Sequence, residues 1–167
     1  MLGLGNVVLT DDGLGVHAVR RLRARHALGP GVEVVEGGTA GLLLLPRLAD
    51  SRRAIVVDAI DRGARPGSLH RLDGAAWASA FDARMSPHDA GLADLLGAAQ
   101  IGGVLPEELV LLGLQPARLG WGTELSPPVA AALDGLVDAV AAQLAAWDTG
   151  AVGLAGGAGW TARAAGG

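Results

Sequence analysis

The sequence predicts an α/β fold: a single three-layer domain in which a twisted, mostly parallel sheet of about five strands carries helices on both faces. Short apolar runs alternate along the chain with segments of helical periodicity, which is typical of parallel strands joined by crossover helices. The chain has 167 residues, of which 50% are hydrophobic. It is therefore large enough to bury one core without disulfides or structural metals.

The strands are predicted from short apolar runs flanked by Gly, Pro or polar residues. They are Met1–Gly5, Val32–Glu36, Ala54–Asp58, Ser68–Leu72 and Leu109–Leu114. Only Met1 and Leu2 precede the first glycine, whereas a strand normally has about five residues. We therefore expect either that the true start lies upstream or that the first strand is truncated.

The helices are predicted from apolar residues repeated at helical spacing. The first, over residues 13–28, places Val16, Val19 and Leu22 on one face, and Thr10, Asp11 or Asp12 would cap it. The others are Gly41–Ala49 with a bend at Pro46, Pro87–Gln100, and Pro128–Trp147. We expect the domain to span residues 1–148 and residues 149–167, mostly Gly and Ala, to form a flexible tail.

Composition excludes several classes of function. The absence of cysteine removes disulfides, thiolate metal sites and thiol catalysis. The net charge is −4 and no run of basic residues could follow a phosphate backbone, so nucleic acid is not an expected partner. We find no apolar stretch of about 18 residues and no signal peptide, which predicts a cytoplasmic protein without membrane insertion.

Acidic residues follow the first three predicted strands. Asp11 and Asp12 come after the first, Glu36 ends the second and Asp58 ends the third. Ligands bind beyond the carboxyl ends of the strands in open parallel sheets, so these side chains are candidate site residues.

A histidine joins them from the segment Ser86-Pro87-His88-Asp89, which has the pattern of a helix start. A helix N-terminus favours neutral imidazole, the form that binds metals. Two carboxylates and one imidazole suit a borderline divalent metal.

Each of these residues also has a purely structural interpretation. Asp11 or Asp12 could simply cap a helix, Asp58 could bind a neighbouring loop, and His88 could belong to a capping segment. The glycines after the first strand could suggest nucleotide binding, but Val8 occupies the place of the third glycine of that motif. The pattern alone leaves the metal site open.

Six segments together resemble the NiFe-hydrogenase maturation endopeptidases, in order and in spacing, over roughly residues 1–147. They are Gly3-Leu4-Gly5-Asn6, Thr10-Asp11-Asp12-Gly13-Leu14-Gly15, Glu36-Gly37-Gly38-Thr39-Ala40-Gly41, Val57-Asp58-Ala59, Pro66-Gly67 and Ser86-Pro87-His88-Asp89-Ala90-Gly91-Leu92. The family removes a short C-terminal extension from the hydrogenase large-subunit precursor after nickel insertion, and its fold is a twisted sheet between helices.

The resemblance implies a nickel-dependent endopeptidase whose catalytic and metal-contacting residues are Asp12, Asp58 and His88. Family members can have Glu in place of Asp12, so the reach to the metal would differ slightly. The segment Gly37-Gly38-Thr39 resembles the part implicated in substrate recognition. The expected partner is the large-subunit precursor, which carries the nickel, and no organic cofactor is expected. We expect the protein to act as a monomer.

Two questions stay open at this point. Either Asp11 or a metal-bound water could activate the attacking water. Rival functions are a non-catalytic nickel-sensing maturation chaperone on the same fold and a nucleotide-binding module. Exposed apolar surface at Leu42–Leu45 or around Trp121 could contact the substrate. Helix packing is the expected role of the leucines, and the role of Trp121 is undecided.

Overall fold

The computed structural model describes residues 1–73 and 90–148. Its sheet has five strands in the order β2-β1-β3-β5-β4, which confirms the predicted number. Their bounds are β1 Leu2–Leu4, β2 Val35–Gly38, β3 Arg53–Ala59, β4 Leu69–Asp73 and β5 Glu108–Leu114. The pairs β1/β2, β1/β3 and β3/β5 are parallel, and β4 runs antiparallel to β5 at the edge. The prediction of a mostly parallel sheet is therefore confirmed.

Helices cover both faces of this sheet. They are α1 Leu14–Arg25, α2 Leu45–Ala49, α3 Ala90–Ile101 and α4 Pro127–Asp148. Turns of 3-10 helix, Thr10–Gly13 and Gly41–Leu44, lead into α1 and α2. The helix predicted over residues 41–49 is thus split, with Pro46 in the first turn of α2, where a missing backbone N–H costs nothing.

Two hydrophobic cores lie on opposite sides of the sheet, as three layers require. Along β3, Val56 faces the core that contains Leu48 of α2 and Leu95 of α3. The neighbouring Ile55 and Val57 face the other core, which α1 and α4 close. This alternation is the period of two that a strand covered on both faces shows.

Helix α4 is long and apolar enough, by length and composition alone, to cross a membrane. In the domain, its residues Leu136, Val137 and Val140 are fully buried against the sheet. Its exposed Asp134 binds Arg21 of α1 through two hydrogen bonds of 2.7 and 3.0 Å. One side of α4 therefore packs against the sheet, and Asp134 links the helix to α1.

Two glycines bring α1 against β1 and so fix the turn between them. A Cβ on Gly3 would lie 2.2 Å from the carbonyl oxygen of Gly15, and one on Gly15 would lie 2.2 Å from that of Val57. Only glycine permits such close approach of the two backbones. The short connection from β1 to α1 is therefore held directly over the carboxyl ends of β1 and β3.

Candidate active site at the carboxyl edge of the sheet

Asp12 lies in the 3-10 turn that joins β1 to α1. Its side chain is buried, and its Oδ2 accepts a hydrogen bond of 2.8 Å from the backbone N–H of Asn6. This contact orients the carboxylate back toward the end of β1.

Asp58 is the second-last residue of β3. It is also buried, and its Oδ1 accepts a hydrogen bond of 2.8 Å from the backbone N–H of Ala59. The sheet therefore places this carboxylate at its carboxyl edge, where the sequence predicted it.

Gly5 separates the two aspartates. Its φ is +109°, a conformation that L side chains rarely adopt. A Cβ at this position would lie 1.7 Å from the backbone oxygen of Asp12 and 3.4 Å from Oδ1 of Asp58. The fold thus brings the backbone of Asp12 and the carboxylate of Asp58 beside a point that must stay free of a side chain.

The segment Gly37-Gly38-Thr39 borders the same place. The carbonyl of Gly38 accepts a hydrogen bond of 3.0 Å from the N–H of Gly5. A cavity of about 220 Å³ lies between them, lined by Gly5, Asn6, Val7, Val16, Arg20, Glu36, Gly38 and Thr39. A larger cavity of about 500 Å³ lies at the amino ends of β1 and β3 and contains none of the predicted site residues.

His88, the third predicted ligand, lies outside the described residues. Within residues 1–73 and 90–148, no group of three His, Cys, Asp or Glu side chains stands close enough to hold a metal ion. The described part of the site therefore offers two carboxylates, and the predicted nitrogen ligand remains a prediction.

The prediction that Thr10, Asp11 or Asp12 caps α1 is wrong. Helix α1 begins after Gly13 with no side-chain cap. Asp11 instead binds the distant segment that follows β5: Oδ2 accepts hydrogen bonds from the N–H groups of Ala117 and Arg118, and both oxygens accept from Ser126.

These contacts leave Asp11 with no exposed surface. Burial alone would raise the pKa of Asp11, but the hydrogen bonds from Ser126, Arg118 and Ala117 outweigh it and hold the pKa below its ordinary value of 3.8. Asp11 is therefore a buried, ionised structural carboxylate, and its geometry does not support the predicted alternative of activating water.

Thr10 also binds the segment that follows β5, through three further hydrogen bonds. Its hydroxyl donates to the carbonyl of Arg118 at 2.9 Å and accepts from the N–H of Gly120 at 3.3 Å. Its N–H donates to the carbonyl of Gly122 at 2.7 Å. Thr10 has a φ of +49°, a conformation that costs roughly 1–3 kcal/mol for such a residue and that the surrounding bonds must maintain.

Sequence reasoning did not find this network, because its partners are more than 100 residues apart. The network presents Trp121, whose side chain is 87% exposed. Leu42 is 51% exposed and Leu43 is 83% exposed, so the expectation that Leu42–Leu45 pack in a helix is wrong for these two residues.

Comparisons with known proteins identify the family to which this chain belongs. The family model for hydrogenase maturation protease matches residues 16–143. The hydrogenase expression/formation protein HupD of Rhodobacter capsulatus is 39% identical over 149 residues, which cover 88% of this chain and 71% of that protein. Hydrogenase 2 maturation protease of Escherichia coli is 37% identical over 145 residues, which cover 86% of this chain and 88% of that protein.

Solved structures agree. The hydrogenase maturating endopeptidase HybD from E. coli superposes with a TM-score of 0.79 at 37% identity, covering 89% of this chain and 91% of that one. The fold is therefore that of a maturation endopeptidase. The chain belongs to the hydrogenase maturation protease family and is a peptidase.

Proposed function

We propose that this peptidase removes the C-terminal extension of a NiFe-hydrogenase large-subunit precursor, and that it recognises the nickel already inserted in that precursor. The observation that carries the proposal is the placement of two buried aspartates, Asp12 and Asp58, beside Gly5 at the carboxyl edge of the sheet. The names of the relatives, which include a hydrogenase 2 maturation protease, support a hydrogenase as the substrate.

The donor set is suited to this task. Nickel in the precursor would be held by the substrate's cysteines, and a protease without thiols cannot compete for those positions. Carboxylate oxygens from Asp12 and Asp58 and an imidazole nitrogen from His88 would occupy the remaining positions of a borderline metal. The metal would then act as the signal that insertion is complete.

The same contacts would place the scissile peptide. Asp12 and Asp58 are oriented by backbone hydrogen bonds from Asn6 and Ala59, so their carboxylates cannot turn without breaking these bonds. Coordination of the nickel by these carboxylates would therefore hold the C-terminal segment of the precursor along the sheet edge beside Gly38 and Thr39. Positioning of this kind contributes much of the rate enhancement in enzymes.

Single substitutions of the two aspartates test this assignment. Asp58→Ala and Asp12→Ala should abolish removal of the C-terminal peptide from nickel-loaded precursor while the circular dichroism and unfolding midpoint show a folded domain. Asp134→Ala is the matched control, because Asp134 is an exposed carboxylate on α4 that pairs with Arg21. It should cleave at the wild-type rate.

Full activity of Asp58→Ala would overturn the assignment. If the wild type binds the nickel-loaded precursor tightly but leaves it uncut, the nickel-sensing chaperone becomes the better explanation. Mass spectrometry of the precursor, together with its affinity, separates these outcomes.

A further inference from the structure

We propose that Trp121 and Val8 form an apolar docking patch that holds an apolar surface of the precursor next to its cleavage segment. This inference rests on the proposed function and adds to it the second point of contact between enzyme and substrate. Neither residue belongs to the predicted metal-contacting set.

The patch consists of two segments paired side by side. The N–H of Gly122 donates to the carbonyl of Val8 at 3.0 Å, and Leu9 and Gly122 form a parallel bridge. Trp121 precedes Gly122 in the chain. Trp121 is 87% exposed and Val8 is 42% exposed. Tryptophan is enriched among the few residues that carry most of the binding energy of protein interfaces.

The patch adjoins the candidate active site. The N–H of Val8 donates to Oδ1 of Asn6 at 3.2 Å, and the N–H of Asn6 donates to Asp12. An endopeptidase must hold a protein chain across its active site, so a substrate positioned at Asp12 extends over the neighbouring surface. This continuity identifies the precursor as the occupant.

The structure also fixes the patch in place. Asp11 and Thr10, both buried, hold the segment from Ala117 to Ser126 through the hydrogen bonds described above. A preorganised surface loses little conformational entropy when a partner binds. The buried network thus connects the turn that carries Asp12 to the segment that carries Trp121.

Affinity for nickel-loaded precursor, measured by surface plasmon resonance on the full-length protein, tests the inference. Trp121→Ala should weaken binding by about 30-fold, the effect of truncating an aromatic residue at the centre of an interface. The matched control is Ile101→Ala: Ile101 is 91% exposed but ends α3, at the opposite edge of the sheet. It should bind as the wild type does.

The kinetics separate docking from catalysis. Trp121→Ala should raise KM and leave kcat nearly unchanged, whereas Asp58→Ala should abolish turnover. Unchanged affinity of Trp121→Ala would overturn the docking patch while leaving the proposed function intact. A change in oligomeric state on ultracentrifugation, without a change in precursor affinity, would also overturn it, because the occupant would then be a second copy of the chain.

Discussion

The Asp11 network makes a quantitative prediction about stability. In Asp11→Ala, the N–H and the hydroxyl of Ser126 lose their acceptors inside the protein, and each buried unsatisfied group costs about 1–3 kcal/mol. The N–H groups of Ala117 and Arg118 lie nearer the surface, where water can replace the carboxylate. The expected loss is therefore about 2–6 kcal/mol, a large share of the roughly 5–15 kcal/mol by which domains are stable.

Urea unfolding followed by circular dichroism measures this loss. With a slope of about 2 kcal/mol per molar urea, the midpoint of Asp11→Ala should fall by about 1–3 M. Ser126→Ala removes only the hydrogen bond that the Ser126 hydroxyl donates, so its urea midpoint should fall by less. An unchanged midpoint in Asp11→Ala would refute the reasoning that this carboxylate holds the two segments together.

The same network predicts an acid dependence. Because the folded pKa of Asp11 is lowered, its contribution to stability is fully present above the unfolded pKa of 3.8 and is lost as the pH falls through the folded value. Asp11→Asn should therefore lose less stability than the wild type between pH 5 and pH 2. Parallel curves for the two proteins would contradict this assignment.

Three further predictions concern single positions. Gly5→Ala should lose at least about 1–3 kcal/mol of stability and all processing, because its Cβ would overlap the backbone of Asp12; wild-type activity would contradict this. Gly122→Ala, with a φ of +150° and a Cβ 2.8 Å from Cγ2 of Thr10, should weaken precursor binding, measurable by surface plasmon resonance. Burial lowers the pKa of His70, so wild-type stability should fall as the pH drops below about 6.5, and urea midpoints of His70→Asn should show a shallower fall.

The layered fold was predictable because its signals are local. Each strand is a short apolar run, and the alternation of Ile55, Val56 and Val57 between two cores follows from the geometry of one strand. Strand β2 was placed three residues too early at its start, at Val32 instead of Val35. Sequence patterns favour valines there, whereas the strand contains Gly37, where an added Cβ would lie 2.7 Å from Cδ1 of Leu44 and 2.8 Å from Cδ2 of Leu4 and would make both side chains shift.

The site was only partly predictable. Asp12 and Asp58 were selected from the sequence because each lies at or just beyond the end of a predicted strand, and the structure places both at the carboxyl edge of the sheet. Asp11 was misassigned because a carboxylate just before a helix has the same local pattern whether it caps that helix or binds Ser126, 115 residues away. The sequence left the exposure of Trp121 undecided, since it depends on how the segment after β5 is fixed against Thr10.

The most direct test of nickel recognition compares two forms of one substrate. Purified protein is mixed with nickel-loaded and with nickel-free large-subunit precursor, and the C-terminal mass of each is followed over time. We expect the nickel-loaded form to lose a short C-terminal peptide and the nickel-free form to stay intact, with neither cut by Asp58→Ala. Equal cleavage of both forms by the wild type would contradict the account.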